Sequence, residues 1–347
     1  MFEILLVFAG IAGAGAVVDY VDADSSDEDS DGRTRSEEDS DGVTQTGTDG
    51  ADTLIGTDAG DDLSGGAGDD VVRGEGGDDL LVGGAGDDML LGGPGDDELI
   101  DDVALDTTSF VLGDAGDDVI VAAALDARAF GGDGDDHLTV SGSETVTADG
   151  GDGDDEIHVT AEDAAPVYAY GGQGDDVISV TSPDYSTAPS FLTQLFGVID
   201  GGPGDDYIEF VSGDDALTHI FGHSGDDTIV MDMGAIAAGG HGEDTFVIVD
   251  GNIGNGQQIT DFDPYRDTLV IDIESLTKNF LGTYHGATLE EAAERYMDTI
   301  GVYESNGTYE LRTVDPVDYG LLHIVEITVT RGEFTADMIQ FINPPPW

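Results

Sequence analysis

Aspartates that recur every nine residues are the most distinctive chemical feature of this sequence. Within residues 65–100 the pattern Gly-x-x-Gly-Asp-Asp occurs four times in succession, and a short, mostly apolar run follows each copy. The second Asp, at the sixth position of the repeat, offers the hard oxygen ligand that Ca²⁺ prefers. The glycines permit positive φ angles and let main-chain oxygens approach an ion closely. The spacing therefore predicts a row of calcium sites.

The same signature continues after residue 100 with wider spacing. Most gaps between sixth-position aspartates are then 17 to 21 residues, and one is 30. Near the start, Asp61 fits the period but has Ala59 where a glycine is expected, which predicts a poorer site. The candidate calcium ligands are Asp52, Asp61, Asp70, Asp79, Asp88, Asp97, Asp118, Asp136, Asp155, Asp176, Asp206, Asp227 and Asp244.

The eighth position of each repeat is apolar. A solvated acidic loop would not require an apolar residue at the same position of every repeat. We therefore interpret these residues as the inward-facing positions of short strands. They are Val72, Leu81, Leu90, Leu99, Ile120, Leu138, Ile157, Ile178, Ile208, Ile229 and Phe246.

The nonapeptide resembles the repeat of RTX (repeats-in-toxin) proteins, Gly-Gly-x-Gly-x-Asp-x-apolar-x, over most of residues 47–262. Residues 259–264 and 267–270 are similar to the segment that closes the repeat in many RTX proteins. The resemblance implies an all-β fold, a parallel β-roll (right-handed β-solenoid), in which stacked turns hold a row of Ca²⁺ ions between Asp carboxylates and backbone carbonyls. It also implies a bacterial source and export from the cell. Residues 341–347 lack the ending of many such exported proteins, so the export route stays open.

In a β-roll one coil takes two nonapeptides, so a step of 18 residues returns to the same edge. We therefore expect one edge to keep its acidic turns along the whole roll. The other edge should keep them only at its start, at Asp52, Asp70 and Asp88. Further strands are predicted at Ser109–Leu112, Val167–Tyr170, His219–Phe221 and Gln258–Thr260, and a protruding loop at Ser182–Ser190.

Charge restricts the partners of this chain. The formal net charge is −67, with 76 acidic and only 9 Lys and Arg residues. Such a polyanion repels itself, nucleic acid and anionic lipid, and its natural partners are cations. The chain has no Cys, so an extracellular fold would need metal instead of disulfides as its staple.

Composition divides the chain into four regions. Residues 1–18 form an apolar N-terminal segment, which is either a signal sequence or a weak anchor; membrane contact is expected only through residues 4–18 if they are not cleaved. Residues 19–46 read as an acidic disordered linker and residues 47–262 as the calcium-binding roll. Residues 263–347 are predicted to form a small α+β C-terminal cap.

Three local signals support the cap. A capping box at Thr288 predicts a helix that continues to Ile300. Asn306-Gly307 predicts a tight hairpin turn, and Leu321–Val329 reads as a strand.

We expect no enzymatic activity. Neither His-Glu-x-x-His nor Gly-x-Ser-x-Gly occurs in the sequence. Histidines at variable repeat positions, His137 and His158, are expected on the surface. A zinc role for the loose group His219, His223 and His241, and a site built from His285, His323, Asp315 and Asp318, have only residue type in their favour.

Three functions are compatible with these patterns. The first is an extracellular calcium-binding protein with a structural or interaction role at the cell surface or matrix. The second is an adhesin or accessory protein that binds a polysaccharide or protein partner through the cap and residues 182–197. The third, least favoured, is a hydrolase that carries RTX repeats.

Overall fold

The computed structural model describes residues 16–17, 42–101, 107–162, 165–182, 197–212, 218–232, 234–249, 257–272, 301–305, 308–314, 321–329, 333–335 and 338–342. Several predicted features lie outside these residues. They are most of the N-terminal segment and the linker, nearly all of the predicted loop at 182–190, and the predicted helix at 288–300.

The described residues form β-strands and no α-helix. The strands are β1 (Ala16–Val17), β2 (Thr44–Thr46), β3 (Asp52–Ile55), β4 (Asp62–Ala67), β5 (Val71–Arg73), β6 (Leu80–Ala85), β7 (Asp88–Pro94), β8 (Glu98–Asp101), β9 (Thr108–Ala115), β10 (Val119–Asp133), β11 (His137–Asp152), β12 (Glu156–Ala161), β13 (Val167–Gln173), β14 (Val177–Ser182), β15 (Gly197–Pro203), β16 (Tyr207–Ser212), β17 (Thr218–Ser224), β18 (Thr228–Met231), β19 (Ala235–His241), β20 (Thr245–Ile248), β21 (Gln257–Phe262), β22 (Thr268–Asp272), β23 (Gly301–Ser305), β24 (Thr308–Val314), β25 (Leu321–Val329) and β26 (Ile339–Ile342). All four strands that the sequence predicted within the repeats are confirmed.

The strands build a parallel β-solenoid of about ten turns. Within the roll, strands pair in parallel with the strand one coil later, so two stacks run side by side. The first stack contains β2, β4, β6, β8, the first halves of β10 and β11, β12, β14, β16, β18, β20, β22 and β26. The second stack contains β1, β3, β5, β7, β9, the second halves of β10 and β11, β13, β15, β17, β19, β21 and β25.

Two edges join the stacks. We call the edge where the chain passes from the second stack to the first the long edge, and the opposite edge the short edge. The sixth-position residue that precedes β6, Asp79, lies at the long edge, and Asp70, which precedes β5, lies at the short edge.

The core is a thin double row of side chains between the stacks. All eleven eighth-position apolar residues predicted to face inward are fully buried at 0% exposure, which confirms the inward register. In the first stack they follow one another in strict register, as Leu138, Ile157 and Ile178 do on adjacent strands. In the second stack the corresponding row narrows to Ala129, Ala148 and Ala169 midway along the roll. Parallel strands that alternate between buried and exposed side chains explain this pattern.

The C-terminal residues extend the solenoid. Strand β25 pairs in parallel with β21, and β26 pairs in parallel with β22. Strands β23, β24 and β25 form an antiparallel unit, which confirms the predicted strand at 321–329; the predicted turn, Asn306-Gly307, lies outside the described residues. Aromatic rings fill the end of the core: Phe262 lies 5.4 Å from Phe334 and 6.1 Å from Phe246, measured between ring centroids.

Within the described residues, no helical segment has the length and apolar character that crossing a bilayer requires.

The thin core makes single inward side chains important for stability. We expect Ile157→Ala to lower the free energy of unfolding by about 2–5 kcal/mol, because a cavity opens in a row that is one side chain wide. Val177→Ala on the next coil, where Val177 is 39% exposed, is the control and should change it by less than about 0.5 kcal/mol. Denaturant unfolding at saturating calcium measures both, and equal effects would contradict the inward register.

Candidate metal centre

The sixth-position aspartates form hydrogen-bonded ladders along the two edges. The backbone N–H of each one donates to Oδ1 of the aspartate one coil later, with N–O distances of 2.7 to 3.3 Å. The short edge carries Asp52, Asp70 and Asp88. The long edge carries Asp61, Asp79, Asp97, Asp118, Asp136, Asp155, Asp176, Asp206, Asp227, Asp244 and Asp267. The structure thus separates the thirteen candidate ligands into the two groups that the spacing predicts.

The second carboxylate oxygen of most ladder aspartates is buried without a partner. The thirteen candidate aspartates are at most 5% exposed. Among the described residues, Oδ2 lacks a hydrogen-bond partner in Asp70, Asp79, Asp88, Asp97, Asp118, Asp136, Asp155, Asp176, Asp206 and Asp227. A buried anionic oxygen without a partner is costly, and coordination to a cation is one of the few ways to relieve that cost.

The turns bring backbone oxygens close to these carboxylates. Gly95 and Gly116 occupy the same place on successive coils with φ of 149° and 139°, where an L side chain is strained. A Cβ atom on Gly116 would overlap the carbonyl oxygen of Gly95. Carboxylate and carbonyl oxygens without sulfur or imidazole form a donor set that suits a hard cation such as Ca²⁺.

A change of residue type ends the short ladder. In the register of the second stack, Asp88 is followed by Ser109, Ala127, Val146 and Val167. Ser109, Ala127 and Val146 are fully buried. Beyond Ser109 the column is lined by methyl groups, which offer no metal ligands, so acidic chemistry on this side is confined to the first coils.

Comparison with protein families agrees with this geometry. A family model described as the RTX calcium-binding nonapeptide repeat matches in four copies, at residues 46–81, 64–99 and 198–217. The chain carries RTX calcium-binding repeats. No curated protein matches the chain.

The two RTX turns nearest the N-terminus differ from the rest. In Asp52, Oδ2 accepts hydrogen bonds from the N–H and hydroxyl of Thr48 at 2.5 and 2.8 Å. In Asp61, Oδ2 accepts the N–H of Thr57 at 2.5 Å. Threonine donors occupy an oxygen that is unpartnered in most later RTX turns, which gives a physical reason for the poorer site predicted at Asp61.

Sequence reasoning missed two aspartates that belong to these RTX edges. Asp267 continues the long ladder: its Oδ1 accepts the N–H of Asp244 at 3.3 Å. Its position directly before an apolar strand was visible, but the Gly-Asp-Asp signature is absent there. Asp101 is 5% exposed beside Asp88 and has no signature at all.

The fifth-position acids have a role that the sequence analysis did not assign. They form an outer, exposed ladder in which each N–H donates to Oδ1 of the fifth-position aspartate one coil earlier. Examples are Asp135 to Asp117 and Asp154 to Asp135, at 3.0 and 2.9 Å. The doubled Asp of the RTX signature therefore supplies two ladders whose hydrogen bonds run in opposite directions.

The histidines occupy other surfaces. His137 and His158 lie on the outer face of the first stack, as expected, and each has a ring nitrogen 3.1 Å from the Glu156 carboxylate. His223 and His241 line an open cavity of about 580 Å³ together with Asp149, Tyr170 and Asp200. In the described part of the chain, His219, His223 and His241 do not belong to a group of three converging ligands. His285, Asp315, Asp318 and the side chain of His323 lie outside the described residues.

Burial raises the pKa of Asp70 and Asp88 on the short edge and of the long-edge carboxyls from Asp79 onward. Loss of hydration is the main cause and neighbouring aspartates add to it, while the donated N–H partly lowers the pKa. The pKa rises to about 7 for Asp118 and Asp155 and to about 6 for Asp136 and Asp176. Below about pH 6 to 7, the stacked carboxyls of the edge therefore hold protons unless a cation replaces them.

This shift predicts how the calcium-free roll responds to pH. A carboxyl whose pKa is raised on folding stabilises the folded state below its unfolded pKa, and that contribution is lost as the pH rises through the folded value. We expect the calcium-free chain to lose compact β structure between pH 5 and pH 8. Far-UV circular dichroism and hydrodynamic radius of the calcium-depleted protein measure this loss. The pH range lies above the sequence pI of about 4.1. Stability that increases with pH would contradict the buried ladder.

Proposed function

We propose that this chain is a secreted calcium-binding β-roll protein that completes its folding outside the cell and has a structural or interaction role at the cell surface or matrix. The observation that carries the proposal is the column of buried, unpartnered Asp Oδ2 atoms along the long edge. The proposal includes no catalytic activity.

The folded chain gathers charge that it cannot neutralise by itself. Successive aspartates such as Asp136 and Asp155 are joined through a single N–H, and repulsion from Asp136 adds to the effect of burial in raising the pKa of Asp118 and Asp155. Bound calcium would supply the positive charge that these oxygens lack. Only the stacked coils bring the oxygens together, so binding stabilises the folded form selectively.

The calcium concentration of the compartment then determines whether the chain is expanded or compact. Extracellular calcium modules bind with Kd values of about 10⁻⁴–10⁻³ M. At the much lower calcium level inside a cell, the ladders favour an expanded chain that suits export. Outside, the same ladders favour the compact roll.

A second candidate is an adhesin or accessory protein. Its predicted binding loop, residues 182–197, lies almost wholly outside the described residues. The cavity lined by Asp149, Tyr170, Asp200, His223 and His241 favours this candidate, because an aromatic ring and polar groups converge there on the second stack. A surface polysaccharide or a protein is the expected partner class. A hydrolase with RTX repeats remains the least favoured function.

Calcium titration of the full chain tests the proposal. We expect a cooperative change from expanded coil to compact β structure at sub-millimolar to millimolar calcium, and no such change with magnesium. Far-UV circular dichroism and hydrodynamic radius report it. A chain that is already compact without calcium at pH 8 would overturn calcium-driven folding.

A matched pair of variants assigns the effect to the long edge. Asp155→Asn removes one ladder charge, whereas Glu144→Gln removes the same charge from an exposed position at the short edge of an adjacent coil. We expect Asp155→Asn to weaken each site that loses its charge by roughly tenfold, equivalent to about 1.4 kcal/mol, and to raise the calcium midpoint. Glu144→Gln should leave the midpoint unchanged; equal shifts would contradict a role for the ladder.

A further inference from the structure

The first glycine of a repeat marks the place where the next coil approaches most closely. At Gly65, the position that a Cβ atom would occupy lies 2.5 Å from Oδ2 of Asp70 and 2.6 Å from the carbonyl oxygen of Gly83, one coil further on. Gly92 on the long edge has the same two kinds of neighbour, Oδ2 of Asp97 and the carbonyl oxygen of Gly113. The turn at this glycine thus sets its own carboxylate beside a backbone carbonyl of the next coil.

Gly83 breaks this rule at the end of the short ladder. Its Cβ position lies 2.8 Å from Oδ2 of Asp88, as in the other turns. Among the described residues, the nearest atom of the next coil is Oδ1 of Asp101, at 2.9 Å, and not a carbonyl oxygen. A carboxylate oxygen thus stands where a carbonyl oxygen stands in the preceding coil.

Asp101 is out of place as a core residue. It occupies the last inward position of β8 and is 5% exposed. The residues that follow it in register on later coils are Ala122, Val140 and Val159, all apolar. Asp101 therefore adds a second carboxylate close to Asp88 in an otherwise apolar row.

Two buried polar atoms without a hydrogen-bond partner among the described residues lie at the same ladder end. Oδ2 of Asp88 has no hydrogen-bond partner among the described residues, and Asp88 is 3% exposed. Ser109 follows Asp88 in register, is fully buried, and its Oγ also lacks a partner in the described part of the chain. The last acidic turn of the short edge therefore leaves oxygen atoms unsatisfied.

We propose that Asp101 and Asp88 form the terminal divalent-cation site of the short edge, with Ser109 Oγ as a neutral third donor. This inference rests on the proposed calcium binding of the edges. In the preceding coil, a backbone carbonyl of the next turn occupies this place. Asp101 supplies an oxygen there instead, so the last site of the short edge is not short of a ligand.

Counting bound calcium tests this site. Asp101→Asn keeps the shape of the side chain and removes its charge, and we expect it to bind one ion fewer per chain at saturation. Asp101→Ala matches Ala122 on the next coil, so it should fold, lose the same ion, and be more compact than the native chain in calcium-free buffer at neutral pH. Glu98→Gln, on the exposed face of the same strand, is the control and should change neither property.

The outcomes separate the two proposals. Equal numbers and affinities of bound ions in Asp101→Asn and the native chain, measured by metal analysis and calorimetry, would overturn the terminal site alone. A native chain that binds no calcium would overturn the proposed function as well.

A second, independent site lies on the outer face of the first stack. His137 and Glu156 are register partners on β11 and β12, and His158 lies two residues beyond Glu156 on the same face. Nδ1 of His137 and Nε2 of His158 lie 3.1 Å from Oε2 and Oε1 of Glu156, and the ligand atoms of all three residues lie within 4.8 Å of one another.

The donor type distinguishes this cluster from the calcium edges. Two imidazole nitrogens and one carboxylate suit Zn²⁺ and other first-row divalent metals, and calcium prefers oxygen alone. The parallel ladder between β11 and β12 holds the three backbones in place, and the net charge of −67 attracts cations to the surface. We infer that His137, Glu156 and His158 bind one transition-metal ion such as Zn²⁺, with a coordination position left for solvent or a partner group.

Zinc calorimetry at saturating calcium tests this inference, because the edges are then occupied. We expect one zinc ion per chain at this site, and at least tenfold weaker binding in His158→Gln and in His137→Gln. His219→Gln is the control, since His219 lies outside the cluster. Zinc binding that is unchanged in both cluster variants, or absent in the native chain, would overturn the site.

Discussion

Repulsion between stacked carboxylates is the constraint on which the rest of this structure depends. Each coil of the long edge places a buried aspartate next to the aspartate of the following coil, joined only through one N–H. The core that opposes this repulsion is a double row of mostly aliphatic side chains, and midway along the roll the row of the second stack shrinks to alanine. Under the proposed function, cations bound in the edges offset this repulsion, and metal binding stabilises the fold.

The two adjacent aspartates of the RTX signature align each turn with the turns of the neighbouring coils. The sixth-position residue accepts from the coil before it, and the fifth-position residue accepts from the coil after it. The two ladders therefore fix each turn between its neighbours from both sides. Glycines such as Gly116 make this possible, because any side chain there would collide with the preceding carbonyl.

The two edges of the roll differ in where insertions occur and where the aspartate ladder continues. The chain lengthens between β8 and β9, between β14 and β15, and between β16 and β17, and each of these connections leads from the first stack to the second, at the short edge. The long edge keeps its aspartate ladder from Asp61 to Asp267. Insertions are therefore tolerated where the register column is apolar, as at Ala127 and Val146, and the acidic ladder remains continuous on the other side. Asp101 lies where the short edge changes from acidic turns to apolar turns that tolerate insertions.

Much of the fold was predictable because its signals are local and periodic. A nine-residue period with an apolar eighth position determines strand, turn and inward face within each repeat, and a step near 18 residues assigns the turns to edges. The candidate ligands Asp52 to Asp244 follow from that arithmetic alone. The repeat pattern did not identify Asp267 and Asp101, because neither follows the Gly-Asp-Asp signature. Only the stacking of the coils shows that they lie close to Asp244 and Asp88.

The tertiary structure decided what depends on contacts between coils. The direction of the two ladders, the unpartnered Oδ2 atoms and the approach of His137 to Glu156 join residues about 18 or more positions apart. By itself, the sequence determined the repeat, the inward register and the kind of ion, because glycine conformation and oxygen chemistry are properties of single residues. The completeness of each site was decided by the structure, because it depends on which oxygen the next coil presents.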